Sequence, residues 1–137
     1  MGQGLSMKQS SILLFVLLLF ASVSLAAAGD LELQSNRFQV IVAWKTPAGA
    51  TGAGQGIAVT SDSGYFWFFD PANVELILKV LDGCALNQHF WVFAGGLTNV
   101  NTTITVIDVE KGVARTYTNP QSTPFQPIQD TSAFACP

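Results

Sequence analysis

The sequence predicts an all-β protein: a small antiparallel β-sandwich of the immunoglobulin-like or Greek-key type, with about seven strands in one domain. Three observations carry this. Short segments alternate apolar and polar residues, or concentrate β-branched and aromatic ones, with the period of a strand. Gly, Pro, Asn and Asp punctuate them at short intervals, as frequent turns require. Two cysteines follow a segment that reads as an export signal, which suits a disulfide-closed domain.

The export signal comes first. Met1–Ser11 is a short polar start with one cation, Lys8, and Ile12–Phe20 is an unbroken apolar run. Ala21–Ala28 then turns to small residues. That order is the order of a secretory signal peptide, with cleavage after Ala28 or, nearly as well, after Ala26. An uncleaved membrane anchor is the alternative, but the run is short for a span and Ser22 and Ser24 interrupt it. Residues 1–28 are therefore expected to be signal and residues 29–137 one domain. Removing 28 of the 137 residues leaves 109, enough for one core but not two.

Gly29–Asn36 is polar with two leucines and reads as a partly ordered entry segment. In Arg37–Lys45, Phe38, Val40, Val42 and Trp44 share one face, and Gln39, Ile41, Ala43 and Lys45 share the other. This is a half-buried strand that Pro47 stops. Thr46–Gly56 is glycine-rich. It lacks both the Gly-Lys-Ser/Thr ending and the G-x-G-x-x-G spacing of phosphate loops, so it is expected to be a mobile hairpin loop. Gly56–Thr60 returns as a short strand, and Ser61–Gly64 is a turn by composition.

Tyr65–Asp70 is the densest aromatic run. As a strand it places Tyr65, Trp67 and Phe69 on one face, and Phe66 and Phe68 on the other. Asn73–Asp82 fits two templates. A helix would use Asp70 as cap, Pro71 at its first position and Gly83 after its end. A strand would put Val74, Leu76, Leu78 and Val80 on one wholly apolar face. Strands flank the segment on both sides, so the strand reading is adopted. Gly83–Gln88 would then be a hairpin loop leading into His89–Ala94, a second aromatic strand with Phe90, Val92 and Ala94 opposite Trp91 and Phe93. Thr102–Glu110 and Val113–Asn119 form the clearest hairpin, joined through Lys111-Gly112. Pro120–Asp130 is expected to cross the surface as extended chain. Thr131–Pro137 returns to the body, where Phe134 docks.

Cys84 and Cys136 are the only cysteines, so an oxidised pair has one possible connectivity. Such a bridge would tie the Gly83–Gln88 turn to the end of the chain. It would remove roughly 4 kcal/mol of unfolded-chain entropy in the loop-closure model.

Composition narrows function mainly by exclusion. Without Lys8 the chain carries five Lys/Arg against nine Asp/Glu, a net charge of −4. Five scattered cations give no footing on a phosphate backbone or an anionic bilayer, so neither nucleic acid nor, after signal cleavage, membrane is an expected partner. His89 is the only histidine. It lies in no nucleophile or metalloprotease motif, so no catalytic residue is expected. Asp70 and Asp82 could contribute to a calcium site, but the dense D-x-D-x-D-G ladder is missing, and no metal or cofactor is expected. A carboxylate pair for glycoside hydrolysis is not selected by any spacing. Asn101-Thr102-Thr103 is a glycosylation sequon.

The aromatics remain. Trp44, Tyr65, Trp67, Phe69, Trp91 and Phe93 could form an exposed platform for a sugar or an extracellular protein, with Tyr65, Trp67, Phe69 and Trp91 as its candidate binding residues. Core packing explains the same residues and is the expectation adopted, because large exposed apolar patches are uncommon without function. The expected function is that of a non-enzymatic, secreted or periplasmic binding or structural module. The alternative is a protein-interaction or protease-inhibitor domain acting through the Thr46–Gly56 and Gly83–Gln88 loops. A hydrolase is the third and weakest reading.

The run from Ser63-Gly64 through Phe66–Leu76, followed by Lys79–Gly83 and Phe90–Phe93, resembles a recurring module of exported proteins of acidobacteria-like bacteria. The likeness continues through Asp108, Gly112 and Tyr117 to Asp130-Thr131 and covers most of the chain after the signal. The resemblance implies a bacterial exported accessory domain. It carries over no ligand and no site residue.

Overall fold

The computed structural model describes residues 29–137 and the isolated Gly2. The signal peptide expected over residues 1–28 lies outside the described residues. Ten strands and one helical turn follow in order: β1 (Leu31–Leu33), β2 (Phe38–Lys45), β3 (Thr51–Ala53), β4 (Gln55–Ala58), β5 (Ser63–Trp67), β6 (Leu76–Gly83), α1 (Cys84–Asn87), β7 (His89–Gly96), β8 (Asn101–Asp108), β9 (Val113–Asn119) and β10 (Ile128–Ala135). All pairings are antiparallel. Sheet I runs β1-β2-β8-β9, with β3 also paired to β2; sheet II runs β10-β7-β6-β5-β4. The two pack face to face as the expected β-sandwich. β8 and β9 lie in the sheet opposite β7, and β10 returns beside β7, a Greek-key path.

Side-chain alternation builds the core. Phe38, Val40 and Val42 of β2 and Ile104 and Val106 of β8 point inward from sheet I. Phe66, Leu76, Leu78, Val80, Phe90 and Val92 meet them from sheet II. Phe38 sits at one end of this core, its ring 4.9 Å from Phe90 and 5.1 Å from Phe134. Each such buried side chain contributes on the order of 1.5–3 kcal/mol over leaving it in water.

One buried ion pair closes that end. Asp108 is fully buried, and Arg37 reaches it with Nη2 2.9 Å from Oδ2. Arg37 also lies over the Phe90 ring at 4.6 Å and pairs with the exposed Glu110 at 3.2 Å. The hydrogen bond to Asp108 is the largest cause raising the Arg37 pKa, against burial, which lowers it. Asp108 Oδ1 accepts a hydrogen bond from the Glu110 amide at 3.2 Å, so the same carboxylate holds the β8–β9 turn. Gly112 takes φ of +65° there, as the turn requires.

Several expectations need correction. The strands number ten rather than seven, because short ones escape periodicity. The entry segment contains β1, which pairs with Phe38–Val40. Thr46–Gly56 is not a mobile loop. Only Thr46–Ala50 turns, closed by the Thr46 amide on Ala50 O at 2.8 Å; the rest is strand β3 and the start of β4. Between those strands the chain crosses from sheet I to sheet II at Gly54, whose N–H donates to Val42 O at 2.8 Å. A Cβ at Gly54 would stand 3.1 Å from the Phe68 ring and 3.2 Å from Val42, so glycine permits the close approach. The expected hairpin loop between β6 and β7 is present, and Cys84–Asn87 within it forms the single helical turn α1. The extended stretch Pro120–Asp130 already enters β10 at Ile128.

The strand reading of the 73–82 segment holds from Leu76 onward. The disulfide joins Cys84 to Cys136, with Cα atoms 5.9 Å apart. It is consistent with a location outside a reducing cytoplasm. Among the described residues, no helix is long and apolar enough to cross a membrane.

Candidate functional site: the outer face of sheet II

Strand parity decides which aromatics are core. In β5, Phe66 is buried and Phe68 follows it inward just past the strand end, while Tyr65 and Trp67 point outward and are half-buried. In β7, Phe90, Val92 and Ala94 are buried, while Trp91 and Phe93 point outward. In β6, Leu76, Leu78 and Val80 are buried, while Ile77, Lys79 and Leu81 point outward. The expectation that the aromatics Tyr65, Trp67, Trp91 and Phe93 are core is therefore corrected: they lie on the outer face. One face of each strand is core, and the other is an apolar surface that no other element of the described residues covers.

Register sets the layout of that surface. Ile57, Tyr65, Ile77 and Gly95 form one row across β4, β5, β6 and β7. Ser63, Lys79, Phe93 and Gln129 form the next, and Leu81 and Trp91 the one beyond. Ile77 is 53% exposed and Ile57 43%. Trp67 lies at the Glu75 end of the face and Trp91 beside Leu81. The two are about 20 Å apart along the strands and about 10 Å across them, by strand rise and spacing. Tyr65, Ile77 and Phe93 lie between, so the face is a diagonal band.

Trp91 and Phe93 meet edge to face at 6.2 Å, and Lys79 Nζ lies 5.5 Å from the Phe93 centroid. The Trp91 indole N–H donates to Asn87 Oδ1 at 2.7 Å. Asn87 Nδ2 in turn donates to Thr131 O at 2.7 Å, which locks the indole's orientation. Gly95 has no side chain where its row would place one. A groove of about 390 Å³ results, lined by Ile77, Lys79, Phe93, Leu97, Pro127 and Ile128 among others. A Cβ at Gly95 would meet nothing within 4 Å, so the groove floor is open to a larger side chain.

Three of the four candidate residues, Tyr65, Trp67 and Trp91, lie on this face. Phe69 does not. It is 52% exposed, past the end of β5, with its ring 4.7 Å from Trp44 and 6.1 Å from Phe68. β5 ends at Trp67, and Asp70 Oδ1 accepts the Ala72 amide at 2.9 Å in a turn that redirects the chain. Trp44 belongs to the inner face and stacks toward Phe68 at 6.4 Å; a Cβ at Gly52 would collide with its ring. Among the described residues, its indole nitrogen is the buried side-chain polar atom without a hydrogen-bond partner.

Ile77, Lys79 and Gly95 were missed from the sequence. Their signal was the parity they share with Tyr65, Trp67 and Trp91, which becomes visible only when the register of β5, β6 and β7 is known.

The other chemical candidates do not converge. His89 Nδ1 donates to Asn87 O at 2.8 Å, a local turn contact. Asp82 accepts the Cys84 amide at 2.9 Å at one end of β6, while Asp70 lies beyond the other end, so the two carboxylates of the conjectured calcium site are not brought together. Asp82 does stand near both cysteines, but their sulfurs are joined in the disulfide.

A scan of protein-family models, a search of characterised proteins and a comparison with solved structures each found no match to this chain.

Proposed function

We propose that the protein is a non-enzymatic, exported binding module whose outer face of sheet II docks an extracellular protein. The observation that carries this is the doubly apolar composition of β5, β6 and β7. An antiparallel sheet with one face on the core normally presents a polar face to water. Here Tyr65, Trp67, Ile77, Leu81, Trp91 and Phe93 meet water together. Contiguous apolar surface of this kind marks interaction sites, and Trp and Tyr are the residues that most often anchor them. Export rests on the signal-like first 28 residues and on the disulfide. The resemblance to a bacterial exported module agrees with it.

A carbohydrate ligand is the second reading, favoured by the outward rings of Tyr65, Trp67 and Trp91. The neighbours of those rings weigh against it. Ile77, Leu81 and Phe93 occupy the positions where hydroxyl-binding polar groups would be needed. The loop-based inhibitor reading has less support. The Thr46–Ala50 turn follows the end of β2, whereas α1 lies beside the Phe38–Phe90 end, so the two turns sit at opposite ends of the sandwich.

The test is a pull-down from the native secreted fraction with four proteins: wild type, Ile77→Asp, Gly95→Leu and Thr105→Lys. The expected result is a partner held by wild type and by Thr105→Lys, on the opposite sheet, and lost with the two sheet II variants. Equal recovery by all four would sink the proposal. Retention on insoluble polysaccharide that Trp91→Ala abolishes would move it to the second reading.

A further inference from the structure

We infer that the free edge of sheet I, strand β9, pairs antiparallel with β9 of a second copy of this chain, with the two-fold axis at Thr116. A sheet edge presents unpaired N–H and C=O groups, and stable monomers blunt such edges. Every other edge in this sandwich is blunted. β1 and β3 are three residues each. β4 is four residues, and its Gly56 amide is taken by Gly29 O at 2.8 Å. β10 has a register break between Asp130 and Phe134, and its Thr131 and Ala135 carbonyls accept from Asn87 and Lys111.

β9 is long and regular by comparison; its one charged side chain is Arg115, whose Nη1 donates to the Ala114 carbonyl at 3.3 Å. It runs seven residues in unbroken register with β8, contains no proline or bulge, and is exposed from Val113 to Thr116. Among the described residues it pairs with β8 alone.

The side chains select both the occupant and the register. With the axis at Thr116, Arg115 stands opposite the partner's Tyr117, and Ala114 opposite its Thr118. Tyr117 donates to Asp130 Oδ2 at 2.7 Å, so each Arg115 would approach the carboxylate behind the facing tyrosine. Arg115 makes no ion pair among the described residues; it lies over the Phe134 ring at 5.7 Å. An axis at Arg115 would set two guanidinium groups directly opposite, which is destabilising. An axis at Tyr117 would draw Pro120, which has no N–H to donate, into the ladder. On the outer face, the Thr103–Thr118 and Thr105–Thr116 pairs would continue through a Thr116–Thr116 pair, a favourable cross-strand combination. The outer face of sheet II stays free on both copies, so this pairing is independent of the function proposed above.

A seven-residue strand pair buries less than a standard interface, so association is expected to be weak, at roughly micromolar concentrations or above. Sedimentation velocity over a concentration series should show a reversible monomer–dimer equilibrium. Thr116→Lys, which sets two ammonium groups side by side, should shift it at least tenfold toward monomer, with the circular dichroism spectrum unchanged. Raising the salt concentration should weaken the wild-type dimer. A short thiol-reactive cross-linker should trap Thr116→Cys as a dimer and leave Ala114→Cys, whose copies lie about 13 Å apart by strand rise, mostly monomeric. A protein that stays monomeric throughout overturns the inference. So does a dimer that survives Thr116→Lys but is lost in Ile77→Asp, since that places the contact on sheet II.

Discussion

The two outer faces of the sandwich make an instructive contrast. Sheet I presents mainly polar residues to water, Gln39, Lys45, Thr103, Thr105, Thr116 and Thr118, with Ile41, Ala43 and Ile107 among them. Sheet II presents Tyr65, Trp67, Ile77, Leu81, Trp91 and Phe93, with Lys79 as the cation among them. The inner faces are alike, both apolar, and contribute to one core. The difference is thus not a demand of the fold. A sandwich of this size needs each sheet to be apolar on one side only, as sheet I is. The second apolar side of sheet II goes beyond that need.

Substitutions can break that contrast or sharpen it. The largest effect should come from neighbours of opposite parity on β5. Phe66→Ala should cost about 3–5 kcal/mol in urea unfolding, as removal of a buried ring does. Trp67→Ala, one residue on and facing out, should cost less than about 1.5 kcal/mol. Equal losses would mean that the outer face is packed and the contrast false. Next, Ile77→Asp should leave the unfolding midpoint nearly unchanged while lowering binding of an apolar dye. Thr105→Asp on the other sheet should change neither.

A smaller effect should appear in tryptophan fluorescence. Acrylamide should quench Trp67 and Trp91 more than Trp44, measured in the three single-tryptophan proteins. The smallest should be seen in alkali. Burial, and then the hydrogen bond to Asp130, raise the Tyr117 pKa above its ordinary value of 10. The folded state therefore holds this proton more tightly than the unfolded chain. Its contribution to stability is complete below about pH 10 and is lost as pH rises toward the folded value. The melting temperature should fall more steeply above pH 10 in wild type than in Tyr117→Phe.

How much of this was legible in the sequence varies with how much each residue pattern encodes. β2 and the β8–β9 hairpin were readable because their two faces differ in polarity, so period and orientation came together. The disulfide followed from there being two cysteines. β5 and β7 were readable as strands but not as oriented ones: with both faces apolar, Phe66 and Trp67 look equivalent until a partner sheet buries one of them. β1 and β3 are too short to show any period, and the glycines around β3 looked like loop because backbone pairing leaves no trace in side-chain pattern. Phe69 was misplaced because the end of β5 is set by the Asp70–Ala72 turn, which hydrophobicity does not register. The outer apolar face of sheet II was legible residue by residue, yet its contiguity depends on the register between β5, β6 and β7.

The Cys84–Cys136 bridge has a mechanical consequence. A force applied between Gly29 and Pro137 runs along the backbone to Cys84, through the disulfide to Cys136 and out. Strands β7 to β10 lie off that load path. Only residues 29–84 can be drawn out, a contour on the order of 200 Å at about 3.5 Å per residue. Reduction would add the length of the remaining fifty or so residues, nearly as much again. Trp91, Phe93 and strand β9 lie within the shielded segment, so the domain could be pulled on without direct tension on them.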